Sequence, residues 1–259
     1  MKIGIIGNGN IASYLLQMIN VEKRVKGEVV AVLGRSLFNK EKVEKSFRAT
    51  FFTDFESFIN SSIDIVIEAA TIQAVQELAN KTLKNNKDII ISSVGAFKES
   101  EFTNKLTKTA LNNNKQIYIP SGAIGGLDII QSANSLGGLK EVTLTTVKSP
   151  ESLGKNNVNK EEVIFEGAAQ EAIEKYPKNV NVALILSLAG LGANSTRITI
   201  KVNPETNKNM HIINAYGSFG EMELKVQNNS MPNNPKTSYL AALSIIYTLN
   251  KTNKTIKIG

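Results

Sequence analysis

The first twelve residues constrain this chain most. Lys2-Ile3-Gly4-Ile5-Ile6 is an apolar run of strand length, and Gly7-Asn8-Gly9-Asn10-Ile11-Ala12 follows at once. From Ser13 onward, Leu15, Leu16 and Ile19 recur at helical spacing. A strand, a G-x-G-x-x-A turn and a helix in that order make up the dinucleotide-binding fingerprint in its required context. Gly7 permits the tight turn, Gly9 lets the backbone approach a pyrophosphate, and Ala12 is small enough for the helix to pack on the strand. Asn10 and Ile11 then open the helix, with unpaired N–H groups and the positive end of its dipole turned to the phosphates. An ordinary tight strand-to-helix turn is the alternative that these residues alone leave open.

A chain of 259 residues with 42% hydrophobic and 20% charged residues reads as globular, long enough for one large domain or two of moderate size. Cysteine is absent, which removes disulfides, thiolate nucleophiles and thiolate metal sites together, and the single histidine, His211, leaves too few imidazoles for a histidine-rich metal site. No metal is expected. The net charge of +7 raises the question of nucleic acid. The lysines are scattered, however, on polar helix faces such as Lys40, Lys42, Lys45 and Lys81, Lys84, Lys87, with few aromatics between them to stack on bases. No nucleic-acid partner is expected, and no membrane partner, since no apolar run approaches the ~18–20 residues a bilayer requires. The first strand starts at Lys2, so no signal peptide is expected and the chain is read as cytoplasmic.

The first half alternates strand and helix, with strands at 28–33, 50–52, 63–68, 89–92 and 116–119 after the first. This pattern implies an α/β fold: an N-terminal Rossmann domain over 1–120, built on a mostly parallel sheet. Past Pro120 the strands at 141–148, 196–202, 210–216 and 221–226 dominate, interrupted by helices at 127–135, 168–175 and 181–189. They suggest a second, α+β domain over 121–235, serving the substrate and dimerisation. Asn234-Pro235-Lys236-Thr237-Ser238 reads as a helix cap, and the C-terminal helix 236–250 is expected to return to the first domain.

Ligands of a doubly wound sheet sit beyond the carboxyl ends of its strands. Those ends are rich in small residues here: Ala69-Ala70-Thr71, Ser92-Ser93-Val94-Gly95 and Ser121-Gly122-Ala123. After the second strand, where NAD sites usually carry Asp or Glu for the ribose hydroxyls, stand Gly34, Arg35 and Ser36. A missing carboxylate removes repulsion against a 2′-phosphate, and arginine offers it a charge-assisted fork. NADP is therefore the expected cofactor, with NAD possible as well. A solvated Arg35 stacking on adenine is the alternative. Glu68 is either an orienting group beside the nicotinamide or a plain strand-end carboxylate. His211 is the one side chain with an unperturbed pKa near neutrality, although a single strand histidine is more often structural.

The segment Pro120-Ser121-Gly122-Ala123-Ile124-Gly125-Gly126-Leu127-Asp128 resembles the signature of the L-aspartate dehydrogenases. So do Pro177-Lys178-Asn179-Val180-Asn181-Val182-Ala183, His211-Ile212 and Asn234-Pro235-Lys236-Thr237-Ser238, in the family's order from end to end. The resemblance implies a homodimeric enzyme that converts L-aspartate with NAD(P)+ to iminoaspartate, or oxaloacetate plus ammonia, and the reverse, linked to NAD biosynthesis. It places the catalytic histidine on His211 and cofactor contacts on Ala123 and Asn181, besides the glycine turn. The family's usual acid after the second strand has no counterpart at Gly34.

In the scheme this suggests, the nicotinamide lies over the strand ends and His211 moves a proton on the substrate. Lys148, Lys236 and Thr237 are candidates for holding the substrate's carboxylates. Three competitors share parts of the pattern. Sugar or inositol dehydrogenases usually present Glu-Lys-Pro where this chain has Ser93-Val94-Gly95. Dihydrodipicolinate reductases need a histidine-rich segment that one histidine cannot supply. A non-catalytic NAD(P)H sensor would bind the cofactor without consuming it.

Overall fold

A computed structural model describes residues 1–155, 158–176, 181–232, 234–252 and 254–256, with the backbone alone at 235 and 236. The chain separates into two compact units: Met1–Pro120 together with the stretch that begins at Ala242, and Ser121–Ala241.

In the first unit, β1 (Lys2–Ile6), β2 (Glu28–Leu33), β3 (Thr50–Phe52), β4 (Ile65–Glu68), β5 (Asp88–Ile91) and β6 (Ile117–Tyr118) form one sheet, parallel throughout. Its order is β3-β2-β1-β4-β5-β6, so the winding reverses between β1 and β4. That is the topological switch point at which doubly wound sheets bind their ligands. Ile3, Ile5, Ile65, Ile67 and Ile90 are buried, as expected of central strands covered on both faces.

The helices of this unit are α1 (Asn10–Leu16), which runs on as a π turn over Gln17–Val21, α2 (Phe55–Ile59), α3 (Ile72–Lys84) and α4 (Ser100–Asn112). Ala74, Val75, Ala79 and Leu83 form the buried stripe of α3, and Lys81 and Lys84 stand in its last turn, where the dipole favours cations. Two of the helices start on side-chain caps: Asp54 accepts from the Ser57 N–H at 2.7 Å, and Thr71 Oγ1 from the Ala74 N–H at 3.1 Å. At α1 the cap is Gly9, which offers no side chain to the first N–H groups.

The second unit holds a sheet of β7 (Leu139–Lys148), β8 (Glu162–Ala168), β9 (Arg197–Val202), β10 (Asn209–Gly217) and β11 (Gly220–Asn228), in the order β11-β10-β7-β9-β8. β7 and β9 run parallel and the other neighbours antiparallel. Along β10, His211, Ile213 and Ala215 are buried and alternate with more exposed residues, so one face of the sheet is packed. The helices α5 (Leu127–Asn134), α6 (Ala169–Lys175) and α7 (Asn181–Ala189) belong to this unit, with Ile130, Ala172 and Leu186 buried.

Two segments differ from the sequence-based expectation. β8 was not anticipated, because a bulge between Val163 and Phe165 puts its alternation out of step and Glu162, Val163 and Glu166 are exposed. The segment read as a helix cap is instead a strand, β13 (Asn234–Ser238), paired with β12 (Ser230–Met231). Ser238 and Met231 are buried in that ribbon, and Asn234 Nδ2 donates to Thr237 Oγ1 at 2.8 Å. Cross-strand pairing outweighs the capping signal, so the C-terminal helix, α8 (Tyr239–Thr252), begins three residues after position 236. From Ala242 on it clusters with the first unit, where Ile245 and Leu249 join the core of Ile3, Leu15 and Val29.

Candidate active site

At the switch point the loops after β1, β2, β3 and β4 surround a pocket of about 430 Å³. Gly7 has φ +116°, and a Cβ there would lie 2.5 Å from the Ala69 carbonyl oxygen, so no side chain can stand at this position. A Cβ at Gly9 would meet nothing within 4 Å. Packing therefore does not demand a glycine at 9, and the open space beside its backbone suits a ligand that must come close. Ala69, Ala70 and Thr71 close the opposite side, and Phe55, Ala74 and Leu78 supply apolar surface for a flat base. Arg35 is the one cation among the lining residues, and its Nη2 donates to Thr71 Oγ1 at 3.2 Å. Glu77, the one lining carboxylate, accepts from Gln73 Nε2 on its own helix.

Open backbone at Gly9, uncapped N–H groups at the start of α1, an apolar wall and one arginine fit a dinucleotide: diphosphate, adenine and ribose each find suitable chemistry. Gly7, Gly9, Arg35, Ala69 and Ala70 line this pocket together. Asn10 and Ile11 form the first turn of α1 beside it. Ser36 is exposed and is not among the lining residues; its carbonyl accepts from Asn8 Nδ2 at 3.2 Å.

Glu68 is fully buried at the end of β4. Its Oε1 accepts from the Ala70 N–H at 2.7 Å and the Ser93 hydroxyl at 2.8 Å, and its Oε2 from the Ser93 N–H at 2.9 Å. Burial raises the pKa of this carboxyl, and the N–H donors of Ser93 and Ala70 oppose the rise. Both oxygens are taken up by the chain itself, so Glu68 ties the loop after β4 to the loop after β5.

The second unit gathers its polar groups at one end of the packed face. His211, Thr146 and Asn228 are buried there, and Lys148 follows Thr146 by two residues along β7, on the same side. His211 Nδ1 and Thr146 Oγ1 are 3.0 Å apart. Asn228 Nδ2 donates to the Ala123 carbonyl at 3.0 Å, and Asn209 Nδ2 to Ser238 Oγ at 3.3 Å. Burial, reinforced by the charge of Lys148, lowers the His211 imidazole from 6.5 to about 4. Burial lowers the Lys148 ammonium to about 8. At neutral pH the pair is thus a neutral imidazole beside a cation.

Of the remaining expected residues, Ala123 is buried and Asn181 is exposed at the start of α7; both belong to the second unit. Thr237 accepts from Asn234 within β13. The Lys236 side chain and residues 177–180 lie outside the described residues. Sequence reasoning placed Asn8 and Thr71 only within strand-end segments, without a role of their own, and missed Phe55 in the pocket and Thr146 and Asn228 in the cluster with His211. Thr146 was within reach, since two residues along a strand from Lys148 is the same face. Asn228 was not, because its role depends on a partner 105 residues away.

Residues 128–252 match the family described as aspartate dehydrogenase, C-terminal, and residues 7–120 match the homoserine dehydrogenase NAD-binding domain. L-aspartate dehydrogenase from Methanococcus maripaludis is 37% identical over 100% of this chain and 99% of its own. The Archaeoglobus fulgidus enzyme of the same name is 40% identical over 95% of this chain and 94% of its own. The crystal structure of aspartate dehydrogenase from Thermotoga maritima superposes with a TM-score of 0.82 at 30% identity, covering 100% and 99% of the two chains. A scyllo-inositol dehydrogenase from Lactobacillus casei shares the fold alone, with a TM-score of 0.61 at 11% identity. Full-length identity of this order, carried by both halves of the molecule, places the chain in the L-aspartate dehydrogenase family.

Proposed function

We propose that this chain catalyses the NAD(P)-dependent oxidation of L-aspartate to iminoaspartate, which water converts to oxaloacetate and ammonia, and the reverse reaction. The observation that carries this reading is the full-length match to enzymes of that name, spanning both the dinucleotide pocket and the His211 cluster. The bound cofactor supplies the hydride acceptor or donor. Gly7, Gly9 and the opening turn of α1 would hold its diphosphate, and Arg35 with Ser36 the 2′-phosphate of NADP, which the lack of an acid at 34 favours over NAD.

The chain's own groups perform the rest. Lys148 is the cation best placed to hold a substrate carboxylate, with Thr237 and Lys236 as further candidates. His211 Nε2 acts as the base for the substrate ammonium or for the water that attacks the imine; this requires Nδ1–H to be donated to Thr146. A carboxylate resting on Lys148 offsets the field that lowers the imidazole, so substrate binding itself strengthens the base. Ala123 and Asn181 serve as further cofactor contacts in this reading, and the second unit as the substrate and dimerisation domain of a homodimer. Both reactants are water-soluble metabolites, which fits a cytoplasmic enzyme.

The test is oxidation of NADPH or NADH by the full chain with oxaloacetate and ammonia, with aspartate identified as the product. Turnover that needs both co-substrates supports the reading. Binding of the dinucleotide without its consumption points instead to a sensor, and sedimentation at the mass of one chain removes the dimer.

A further inference from the structure

Asn8 stands between the two glycines of the turn, and both N–H donors of its side-chain amide are engaged. Nδ2 donates to two carbonyls of the loop after β2, Ser36 at 3.2 Å and Phe38 at 2.6 Å. The Asn8 carbonyl in turn accepts from Asn39 Nδ2 at 3.0 Å. Three hydrogen bonds therefore join the glycine turn to residues 34–39, a segment whose Leu37 and Phe38 side chains are otherwise 65% and 69% exposed. A loop with so little buried apolar surface takes its shape from such bonds.

The same amide and the Phe51 ring together crowd position 34. A Cβ on Gly34 would lie 2.8 Å from Asn8 Cγ and Nδ2 and 2.6 Å from Phe51 Cζ. Both distances are shorter than real contacts allow, so any side chain here would displace the amide from its two carbonyls or the buried Phe51 ring from its place. Position 34 is where a ribose-binding carboxylate would stand, and Arg35 and Ser36 follow directly.

We propose that Asn8 is a specificity-positioning residue. Its amide holds residues 34–39 in the arrangement that presents Arg35 and Ser36 to a phosphate on the adenosine ribose, and its bulk, together with the Phe51 ring, leaves no room at position 34 for the acid that a ribose hydroxyl would need. This rests on the NADP reading above. It also gives the x of the G-x-G turn a selective role separate from the diphosphate contacts of the two glycines.

The experiment titrates the full chain with NADPH and with NADH, following the nucleotide's own fluorescence, and repeats the comparison as kcat/KM with oxaloacetate and ammonia. The variants are Asn8→Ala, Asn8→Ser and Arg35→Ala. Asn8→Ala is expected to weaken NADPH at least tenfold more than NADH, and Asn8→Ser, which keeps one donor, to fall between it and the parent. A purely structural role lowers both nucleotides by the same factor. An NADPH/NADH ratio within twofold of the parent in both folded Asn8 variants therefore overturns the proposal. Should only one of the two fold, its ratio decides. Arg35→Ala separates the two ideas. A ratio that collapses with Arg35→Ala but not with the Asn8 variants removes the role of Asn8 and leaves the NADP reading. A ratio that shifts with Asn8 but not with Arg35 supports Asn8, acting through Ser36, and removes Arg35 as the phosphate reader.

Discussion

His211 Nδ1 and Thr146 Oγ1 face each other at 3.0 Å across directly paired positions of β10 and β7, and both side chains are buried. A buried imidazole with one nitrogen held by a neighbour has its ring orientation and its tautomer set by that neighbour. If the free nitrogen is the working base, His211→Ala should lower turnover by roughly 10²–10⁴-fold while NADPH binding stays close to the parent value. Thr146→Val keeps the shape and removes the hydroxyl, a loss on the order of 0.5–1.5 kcal/mol for one neutral hydrogen bond, or several-fold in kcat. Near-parental turnover in His211→Ala, measured with saturating cofactor, removes the imidazole from the chemistry.

The same burial makes a prediction about stability. His211 titrates near 4 in the folded chain and near 6.5 when exposed, so between those values the folded form holds fewer protons than the unfolded one. Stability then rises with pH through that window, and the full penalty is present below about 4. At ~1.4 kcal/mol per pKa unit the penalty reaches roughly 3 kcal/mol. His211→Gln lacks it, so urea unfolding at pH 7 and pH 4 should show a steeper acid loss in the parent than in the variant. Lys148 acts in the same direction at higher pH. Its folded value of about 8 against 10.5 makes stability rise between those points, and Lys148→Met should flatten the rise.

Arg35 is exposed at the pocket's mouth, bonded to Thr71 and to no carboxylate among the described contacts. A 2′-phosphate arriving there exchanges a neutral partner for an anionic one, worth about 1.5–3 kcal/mol for a hydrogen bond to a charged group. Arg35→Ala is therefore expected to lower the NADPH/NADH ratio of kcat/KM by ~10–100-fold, chiefly through NADPH. Equal losses for the two nucleotides would show that the arginine serves something common to both, such as the adenine.

The first unit was largely legible because a buried parallel strand needs an uninterrupted apolar run, and Ile65-Val66-Ile67 or Ile89-Ile90-Ile91 has few other uses. The turn at 7–12 was equally plain, since its glycines answer to local backbone geometry at Gly7 and open space at Gly9. The second unit was harder. The bulge at Val163–Phe165 hides β8, and at Asn234–Ser238 residues with good capping chemistry pair as a strand. The site shows the same division. Arg35 and His211 stood out by chemical type, whereas Asn8, Thr146 and Asn228 matter through partners 30, 65 and 105 residues away. Glu68 was visible as a strand-end carboxylate, but its use was not, because Ser93 comes 25 residues later.

That use of Glu68 yields the strictest test of the first unit. Three donors converge on two carboxylate oxygens: the Ala70 N–H and the Ser93 hydroxyl on Oε1, the Ser93 N–H on Oε2. Neither N–H can reverse its role. Glu68→Gln changes one oxygen to an NH2 in nearly the same volume, and whichever way the amide turns, its NH2 meets a backbone N–H. One buried donor is then left unsatisfied, which costs about 1–3 kcal/mol. Ser93→Ala removes a single donor and leaves both oxygens with a backbone N–H, so its loss should stay near ~1 kcal/mol. The conservative change at 68 is thus expected to be the more damaging of the two, lowering Tm by roughly 4–8 °C for a loss of about 2 kcal/mol. The reverse order in a thermal melt, with Glu68→Gln within about 1 °C of the parent, would mean that the carboxylate is not what ties the loop after β4 to the loop after β5.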